Sequence, residues 1–252
     1  MLINEHYGQY MKYILQNDKI KPLFLAALLL QLIFWNYTKN IKPEFEILPK
    51  PISPKYAKLI SFGDDEFLFR SLSIRIQNSG DIYAGFTPLK FYDYQKLHDW
   101  FIFMDNLNGT SNQIPSLAAY TYSNINDNEK LNHLIDYLEY RGNSNIDENW
   151  WWVFQAIYLA RKIGDQDKAL KLADLLAKNK DPKAPLWTKQ VSAFIHAKNG
   201  NGCLAFFAIQ NVIKDLNHKN VEISVDDISF MRYFINVRLR KLKSGGFNPK
   251  RC

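Results

Sequence analysis

The sequence predicts an all-α protein built from antiparallel helical hairpins that stack into a solenoid. The stretch 147–182 reads DENWWWVFQAIYLARKIGDQDKALKLADLLAKNKDP, which is two helix-length apolar patterns separated by Gly164 and Asp165. Glycine tolerates the left-handed backbone that ends a helix, and aspartate caps the start of the next helix. Because such a hairpin cannot bury both of its apolar faces alone, we expect similar hairpins beside it.

The same layout recurs along the chain. Gly200 and Ala205 follow Gly164 and Ala169 at the same offset of 36 residues (200 − 164 and 205 − 169). An upstream match places Leu131 at the alanine position, 38 residues before Ala169 (169 − 131). These offsets are close to the ~34-residue period of tetratricopeptide repeats. The chain is therefore expected to contain several hairpins of one kind.

Three residues carry a resemblance to a known repeat. Gly164 at the turn, Ala169 five residues later and Pro182 at the close resemble the pattern of a tetratricopeptide repeat. Residues 61–242 are also similar to an uncharacterised group of bacterial membrane-anchored repeat proteins, through the segments FGDDEFLFR, TPLKFYDY, KIGDQDKALKLA and PLWTKQVSAFI. Both resemblances imply a tetratricopeptide-like solenoid, and neither implies an enzymatic activity.

The remaining helices are predicted from apolar periodicity and capping residues. Asp147 is expected to cap the helix that carries the three tryptophans, and Asn126 with Glu129 reads as a capping box. Asp64, Asp65 and Glu66 fit the charged first turn of a helix. Further helices are expected at 94–107, 115–123, 128–141, 184–199, 202–217 and 228–243.

An apolar run near the N-terminus predicts a membrane anchor. Residues 22–35 read PLFLAALLLQLIFW, and Trp35 with Tyr37 suits an interfacial belt. Fourteen residues span only about 21 Å of helix, short of the ~30 Å hydrocarbon core. We expect a single transmembrane helix at 22–38. A cleaved signal peptide and a buried helix of a soluble protein are the alternatives.

The anchor defines the expected domain organisation and location. Lysines before the run bias residues 1–21 toward the cytoplasm, which places the bulk of the chain in the periplasm at a bacterial inner membrane. Residues 39–60 contain four prolines, which predicts either an extended linker or an ordinary surface loop. The helical-repeat domain is then 61–243, and a basic tail occupies 244–252.

The positive charge is concentrated at the C-terminus. After Asp227 the chain has seven Lys or Arg residues and no acid, which accounts for the whole formal net charge of +7. Because the rest of the chain is neutral by count, the composition argues against a nucleic-acid-binding surface. The tail either contacts an acidic partner or lipid head groups, or is a solvated chain end.

The repeat resemblance implies a partner-binding groove, because the first helix of each tetratricopeptide hairpin lines a concave surface. A groove of aromatic rings with a few polar and basic groups would suit a protein or peptide partner. The alternative is that these rings pack between helices. Aligned on the alanines, the face comprises Tyr120, Trp151, Phe154, Tyr158, Arg161, Trp187, Gln190, Phe194 and Lys198.

Catalytic and metal signatures are missing from the sequence. It contains no G-x-S-x-G, phosphate-binding glycine loop or H-E-x-x-H, so neither catalytic residues, metal ligands nor a cofactor are predicted. Cys203 and Cys252 suggest neither a disulfide framework nor a metal site. The sequence thus predicts a membrane-anchored scaffold in cell-envelope assembly that binds a protein or peptide. The alternative is an envelope enzyme using carboxylates near the 81–93 loop, with Asp64, Asp65, Asp81 and Asp93 as candidates.

Overall fold

The fold was determined from a computed structural model, which describes residues 20–39, 46–82, 85–181, 183–218, 224–241 and 252. The described residues form eleven α-helices, so the predicted all-α class is confirmed. Their only extended pairing joins β1 (Asp81–Ile82) to β2 (Gly85–Phe86), antiparallel with Asp81 opposite Phe86. The helices are α1 (Ile20–Thr38), α2 (Pro54–Ser61), α3 (Asp65–Gln77), α4 (Tyr94–Leu107), α5 (Gln113–Ser116), α6 (Asn128–Ser144), α7 (Ile146–Ile163), α8 (Gln166–Ala177), α9 (Val191–Lys198), α10 (Gly202–His218) and α11 (Val225–Tyr233).

The chain divides into two units, residues 1–46 and 47–252. The first unit contains α1, whose side chains are exposed from Lys21 to Tyr37. No helix in the described part of the chain is long and apolar enough to cross a membrane. The transmembrane helix predicted at 22–38 is therefore not found, although a helix does form there. Its apolar residues are interrupted by polar ones such as Gln31.

The second unit begins inside the stretch predicted as a linker. Ser53 caps α2, and Pro54 occupies the first helical position, where its missing N–H group costs nothing. The carbonyl of Pro49 accepts a hydrogen bond of 2.6 Å from Trp100 Nε1. The described part of the predicted linker 39–60 is thus largely folded, because its prolines lie before and at the start of a helix.

The central hairpin of α7 and α8 follows the predicted turn. Gly164 has φ +88° and ends α7 in the left-handed region, where a residue without Cβ is favoured. Asp165 accepts a hydrogen bond of 2.8 Å from the backbone N–H of Lys168 and caps α8. Gly200, at φ +80°, precedes α10 in the equivalent turn. The two turns that defined the repeat are therefore formed.

Two predicted caps are displaced by one or two residues. Helix α7 begins at Ile146 rather than after Asp147, whose carboxylate instead accepts a hydrogen bond of 2.7 Å from the N–H of Lys180. Helix α6 is capped by Asp127 and not by Asn126, since Asp127 accepts the N–H of Lys130. Both corrections arise because neighbouring residues have equally suitable capping side chains.

Three predicted helices are shorter or irregular. Residues 115–123 are covered by α5 and a π-helical segment (Leu117–Tyr122). A 3₁₀ segment (Leu186–Gln190) precedes α9 in the predicted helix 184–199. After α11 the chain continues as π-helical and 3₁₀ segments (Phe234–Arg238 and Leu239–Lys241).

The second unit has two clusters of buried apolar side chains. The larger runs from Leu48 to Ile195 and contains the inner faces of α3 to α8. The smaller runs from Ala193 to Leu239 and is formed by α9, α10, α11 and the segments after α11. Within the larger cluster α6 and α7 are packed closely at Gly142. A Cβ added to this glycine would lie only 2.1 Å from Val153 Cγ2.

A disulfide joins Cys203 of α10 to Cys252, with Cα atoms 5.5 Å apart. This pairing corrects the expectation from sequence, where two cysteines separated by 49 residues gave no framework. Apart from residues 20, 21 and 252, the predicted N-terminal segment 1–21 and basic tail 244–252 lie outside the described residues.

Candidate functional site

The three consecutive tryptophans of α7 have different environments. Trp152 is 5% exposed and its Nε1 donates a hydrogen bond of 3.1 Å to Asn112 Oδ1. Trp150 is half-buried against the ring of Trp187, 6.1 Å away between centroids. Trp151 is 38% exposed. Successive side chains project about 100° apart around a helix, so a single core stripe cannot accommodate all three.

Trp151, Phe154 and Tyr158 lie along one face of α7, and two aromatic side chains from other segments lie beside them. The ring centroids of Trp151 and Phe154 are 5.6 Å apart, and those of Phe154 and Trp187 are 4.8 Å apart. Trp151 Nε1 donates a hydrogen bond of 2.7 Å to the hydroxyl of Tyr120. Tyr158 follows one helical turn beyond Phe154. We call the set Tyr120, Trp151, Phe154, Tyr158 and Trp187 the aromatic surface.

Much of the aromatic surface is accessible. Tyr120 is 48% exposed and Tyr158 is 62% exposed, while Phe154 and Trp187 are half-buried. Together, the half-buried and accessible rings form an apolar patch that is in contact with water. Arg161, also half-buried, lies one turn beyond Tyr158. The arrangement can stack against apolar or aromatic groups and offers tyrosine hydroxyls for hydrogen bonding.

The other residues predicted for the groove lie elsewhere. Gln190 is 1% exposed and so is not accessible to a partner. Phe194 packs in the smaller core, where its ring is 5.9 Å from Phe230 and 5.3 Å from Phe234. Lys198 is the exposed last residue of α9. The irregular start of the predicted helix 184–199 changes which side chains share a face, so alignment on the repeat spacing fails there.

A buried polar network connects the start of α7, the helix that carries Trp151, to neighbouring segments. Arg141 Nη1 lies 3.2 Å from Asp105 Oδ1, and both side chains are at most 5% exposed. Arg141 also donates to Asn149 Oδ1 at 3.0 Å and to the carbonyl of Ser111 at 3.1 Å. Tyr137 donates to Asp105 Oδ2 at 3.1 Å. One guanidinium thus connects α4, α6, the start of α7 and the segment before α5.

Burial dominates the protonation of this network. Desolvation raises the pKa of Asp105 to about 6, although the charge of Arg141 and the hydrogen bond from Tyr137 act in the opposite direction. Desolvation and the neighbouring carboxylate raise the pKa of Tyr137 well above its ordinary value. No sequence motif indicates the network, because Asp105 of α4 is distant in sequence from Tyr137 and Arg141 of α6.

A cleft of about 1000 Å³ lies beside α8 and α10. Leu204 and Phe207 contribute apolar surface to it. Lysines and aspartates also line it, so both positive and negative charges are present. Asn179, which is 2% exposed, also lines it, and its Nδ2 lacks a hydrogen-bond partner among the described residues. The mixed charge of this cleft favours no single class of ligand.

Two of the four carboxylates considered for catalysis cap helices. Asp64 accepts a hydrogen bond of 2.9 Å from the N–H of Phe67 and caps α3. Asp93 accepts one of 3.1 Å from the N–H of Lys96 and caps α4. Asp65 is exposed in the first turn of α3, and the side chain of Asp81 lies outside the described residues. These contacts provide no acid–base pair.

Among the described residues, no group of three or more His, Cys, Asp or Glu side chains could hold a metal ion. No family model, curated protein or solved structure matches this chain. Its function has to be inferred from the geometry of the aromatic surface.

Proposed function

We propose that this protein is a helical-repeat scaffold that binds a segment of a protein partner on its aromatic surface. The observation that carries the proposal is the accessibility of Trp151, Tyr120 and Tyr158, together with the half-buried rings of Phe154 and Trp187. Exposed tryptophan and tyrosine supply large contact area at little conformational cost, and they are enriched among the residues that dominate binding energy.

The scaffold architecture is part of the proposal. The pairs α7–α8 and α9–α10 are antiparallel hairpins separated by the 36-residue offset of their turn glycines (200 − 164). We propose that they stack as tetratricopeptide-like units. A stack of this kind would present successive first helices side by side, as the contact of Phe154 in α7 with Trp187 before α9 suggests.

A location at the bacterial inner membrane, with the folded unit in the periplasm, is a further part of the proposal. It is supported by α1, whose leucine and phenylalanine side chains from Leu23 to Phe34 are largely exposed. A helix that exposes this many large apolar side chains requires cover from lipid or protein. The disulfide between Cys203 and Cys252 also suits an oxidising compartment.

Fusions after Cys252 test the location. Alkaline phosphatase is active only outside the cytoplasm, whereas green fluorescent protein folds inside it. We expect an active phosphatase fusion and a non-fluorescent second fusion. A fluorescent fusion with inactive phosphatase would contradict the periplasmic location and leave the partner proposal to be tested in the cytoplasm.

Site-specific photo-cross-linking in cells tests partner binding. A benzophenone amino acid at position 158 should yield a discrete adduct of higher mass, and Trp151→Ala in the same chain should remove it. Tyr140 of α6 is 41% exposed and provides a matched control position. No adduct at position 158, or the same adduct from both positions, would contradict binding at the aromatic surface.

A further inference from the structure

Helices α2 and α3 carry large apolar side chains on their outer faces. The buried residues of α2 are Ala57 and Ser61, one turn apart, and the core residues of α3 include Leu68 and Phe69. The opposite faces are apolar as well, with each side chain at least half exposed. We call this set the α2–α3 surface: Tyr56, Leu59, Ile60, Phe62, Phe67 and Ile74.

The turn between the two helices is the most exposed part of this surface. Phe62 is 94% exposed and has φ +50° and ψ +26°. It is the one non-glycine residue with positive φ among the described residues. A left-handed backbone costs a residue with a Cβ roughly 1–2 kcal/mol, and glycine or asparagine is the usual choice there. Neither burial nor backbone preference accounts for phenylalanine at this position.

An exposed aromatic residue in an unfavourable backbone conformation indicates a role outside the folded chain. Because Phe62 lies in the turn between α2 and α3, its ring can enter an apolar phase without movement of either helix. Leu59 lies on the side of α2 opposite the buried Ala57, and Phe67 and Ile74 share the outer side of α3. The surface therefore continues from the tip along both helices.

Basic side chains accompany the apolar ones on α2. Helical spacing of about 100° per residue places Lys55 and Lys58 on one flank of Leu59, with Tyr56 and Ile60 on the other. A helix with apolar residues on one side and lysines beside them is typical of binding at an anionic membrane interface.

Of the three acids at the start of α3, Asp64 and Glu66 are engaged within the fold and Asp65 is exposed. Asp64 caps α3 through the N–H of Phe67. Glu66 accepts hydrogen bonds from Arg70 at 2.7 Å and Asn108 at 2.6 Å, and these bonds lower its pKa. Lys55 and Lys58 are both exposed, so the charge that α2 itself presents is positive.

We propose that the α2–α3 surface binds the face of an anionic lipid bilayer, with the ring of Phe62 inserted at the boundary between head groups and acyl chains. Lys55 and Lys58 then contact the lipid phosphates. This inference depends neither on partner binding at the aromatic surface nor on α1, because it concerns the folded unit itself.

Depth measurements on the full chain test the proposal. A nitroxide amino acid is introduced by codon suppression at position 62 and, as a matched control, at Tyr140 of α6. The protein is mixed with vesicles of phosphatidylcholine containing about a third phosphatidylglycerol. We expect the label at position 62 to gain collision with oxygen and lose collision with a water-soluble nickel chelate, and the label at position 140 to keep its aqueous values.

Three outcomes would overturn the proposal. In the first, the protein binds vesicles but the label at position 62 keeps the oxygen and nickel collision rates that it has in water. In the second, the protein does not bind vesicles. In the third, the label shows dipolar broadening without increased oxygen collision, because a second copy of the chain covers the surface.

Charge and ring variants provide a second test. The double change Lys55→Glu and Lys58→Glu should reduce insertion at position 62 on anionic vesicles. Phe62→Asn suits the left-handed backbone, so it should fold normally while lowering the vesicle partition coefficient about tenfold or more. Phe91→Asn is a matched control, because Phe91 is 63% exposed and lies outside this surface. Equal effects of the two asparagine substitutions would refute the inference.

Discussion

The hydrogen bond from Trp151 Nε1 to the hydroxyl of Tyr120, 2.7 Å long, joins two exposed side chains that are 31 residues apart. Trp152, the next residue, is buried and bonds to Asn112 instead. Two adjacent tryptophans of one helix therefore differ in role, since Trp152 belongs to the core while Trp151 belongs to the accessible face.

This contrast predicts different results from the same substitution. Trp152→Ala should reduce the free energy of unfolding by about 3–5 kcal/mol, because it leaves a cavity and an unpaired Asn112. Trp151→Ala should cost less, about 1–2 kcal/mol, and should abolish the cross-link from position 158. Urea unfolding measures both. An equal loss of stability in the two variants would show that Trp151 is a core residue.

Removal of the buried guanidinium should be strongly destabilising. Arg141→Met leaves Asp105 and Asn149 without their partner, and breaking a buried ion pair in this way typically costs about 3–5 kcal/mol. Arg70→Met is the control, because Arg70 pairs with Glu66 at the surface and exposed pairs contribute roughly 0–1 kcal/mol. A similar small effect in both variants, measured by chemical unfolding, would refute the structural role of the network.

Asp105 predicts a pH dependence of stability with a defined sign. Its pKa is about 6 in the folded state, against an ordinary value of 3.8. Between these values the folded protein holds a proton that the unfolded chain has released, so this residue's contribution to stability falls as pH rises from about 4 to about 6. The decrease could reach ~3 kcal/mol at 1.36 kcal/mol per pKa unit.

The variant Asp105→Asn removes that contribution. The unfolding free energy is measured at pH 4, 5, 6 and 7. As pH rises, it should fall less steeply, or rise more steeply, in the variant than in the parent chain. Only the difference between the two curves is informative, since other carboxylates titrate in the same range. Parallel curves would mean that Asp105 does not change its protonation on folding in this window.

The disulfide predicts a redox-dependent stability. Closing a loop of 49 residues stabilises the folded state by ~4 kcal/mol in the chain-entropy model, and measured values are typically 2–4 kcal/mol. Dithiothreitol should therefore lower the Tm of the parent chain. Cys203→Ser and Cys252→Ser should each lower it by a similar amount and should make the protein insensitive to dithiothreitol. An unchanged Tm on reduction would contradict the stabilising role of the bond.

Local patterns predicted the local structure well. The turn at Gly164 and the cap at Asp165 are formed as expected, because each depends on residues within one helical turn of each other. The predicted helix caps were wrong by one or two residues. Asp127 caps α6 in place of Asn126, because the two adjacent side chains are both suitable for capping.

The features that depend on distant residues were not predictable in the same way. The sequence identified Tyr120, Trp151, Phe154 and Trp187, which the fold brings together, but it also included Gln190, which is buried. The periodic pattern does not reveal that Leu186–Gln190 is a 3₁₀ segment with a different angular spacing. The Asp105–Arg141 pair and the disulfide likewise depend on tertiary contact alone.

The two apolar clusters interleave along the chain, since Trp187, Val191 and Ile195 belong to the larger while Leu186 and Ala193 belong to the smaller. A chain with two such nuclei can lose one while keeping the other, as a pair of separately cooperative foldons. Amide hydrogen exchange would then show earlier opening from α10 onward than in α6 and α7. In such a partly open state the aromatic surface would keep Trp187 together with Trp151 and Tyr120, because Trp187 packs against the larger cluster.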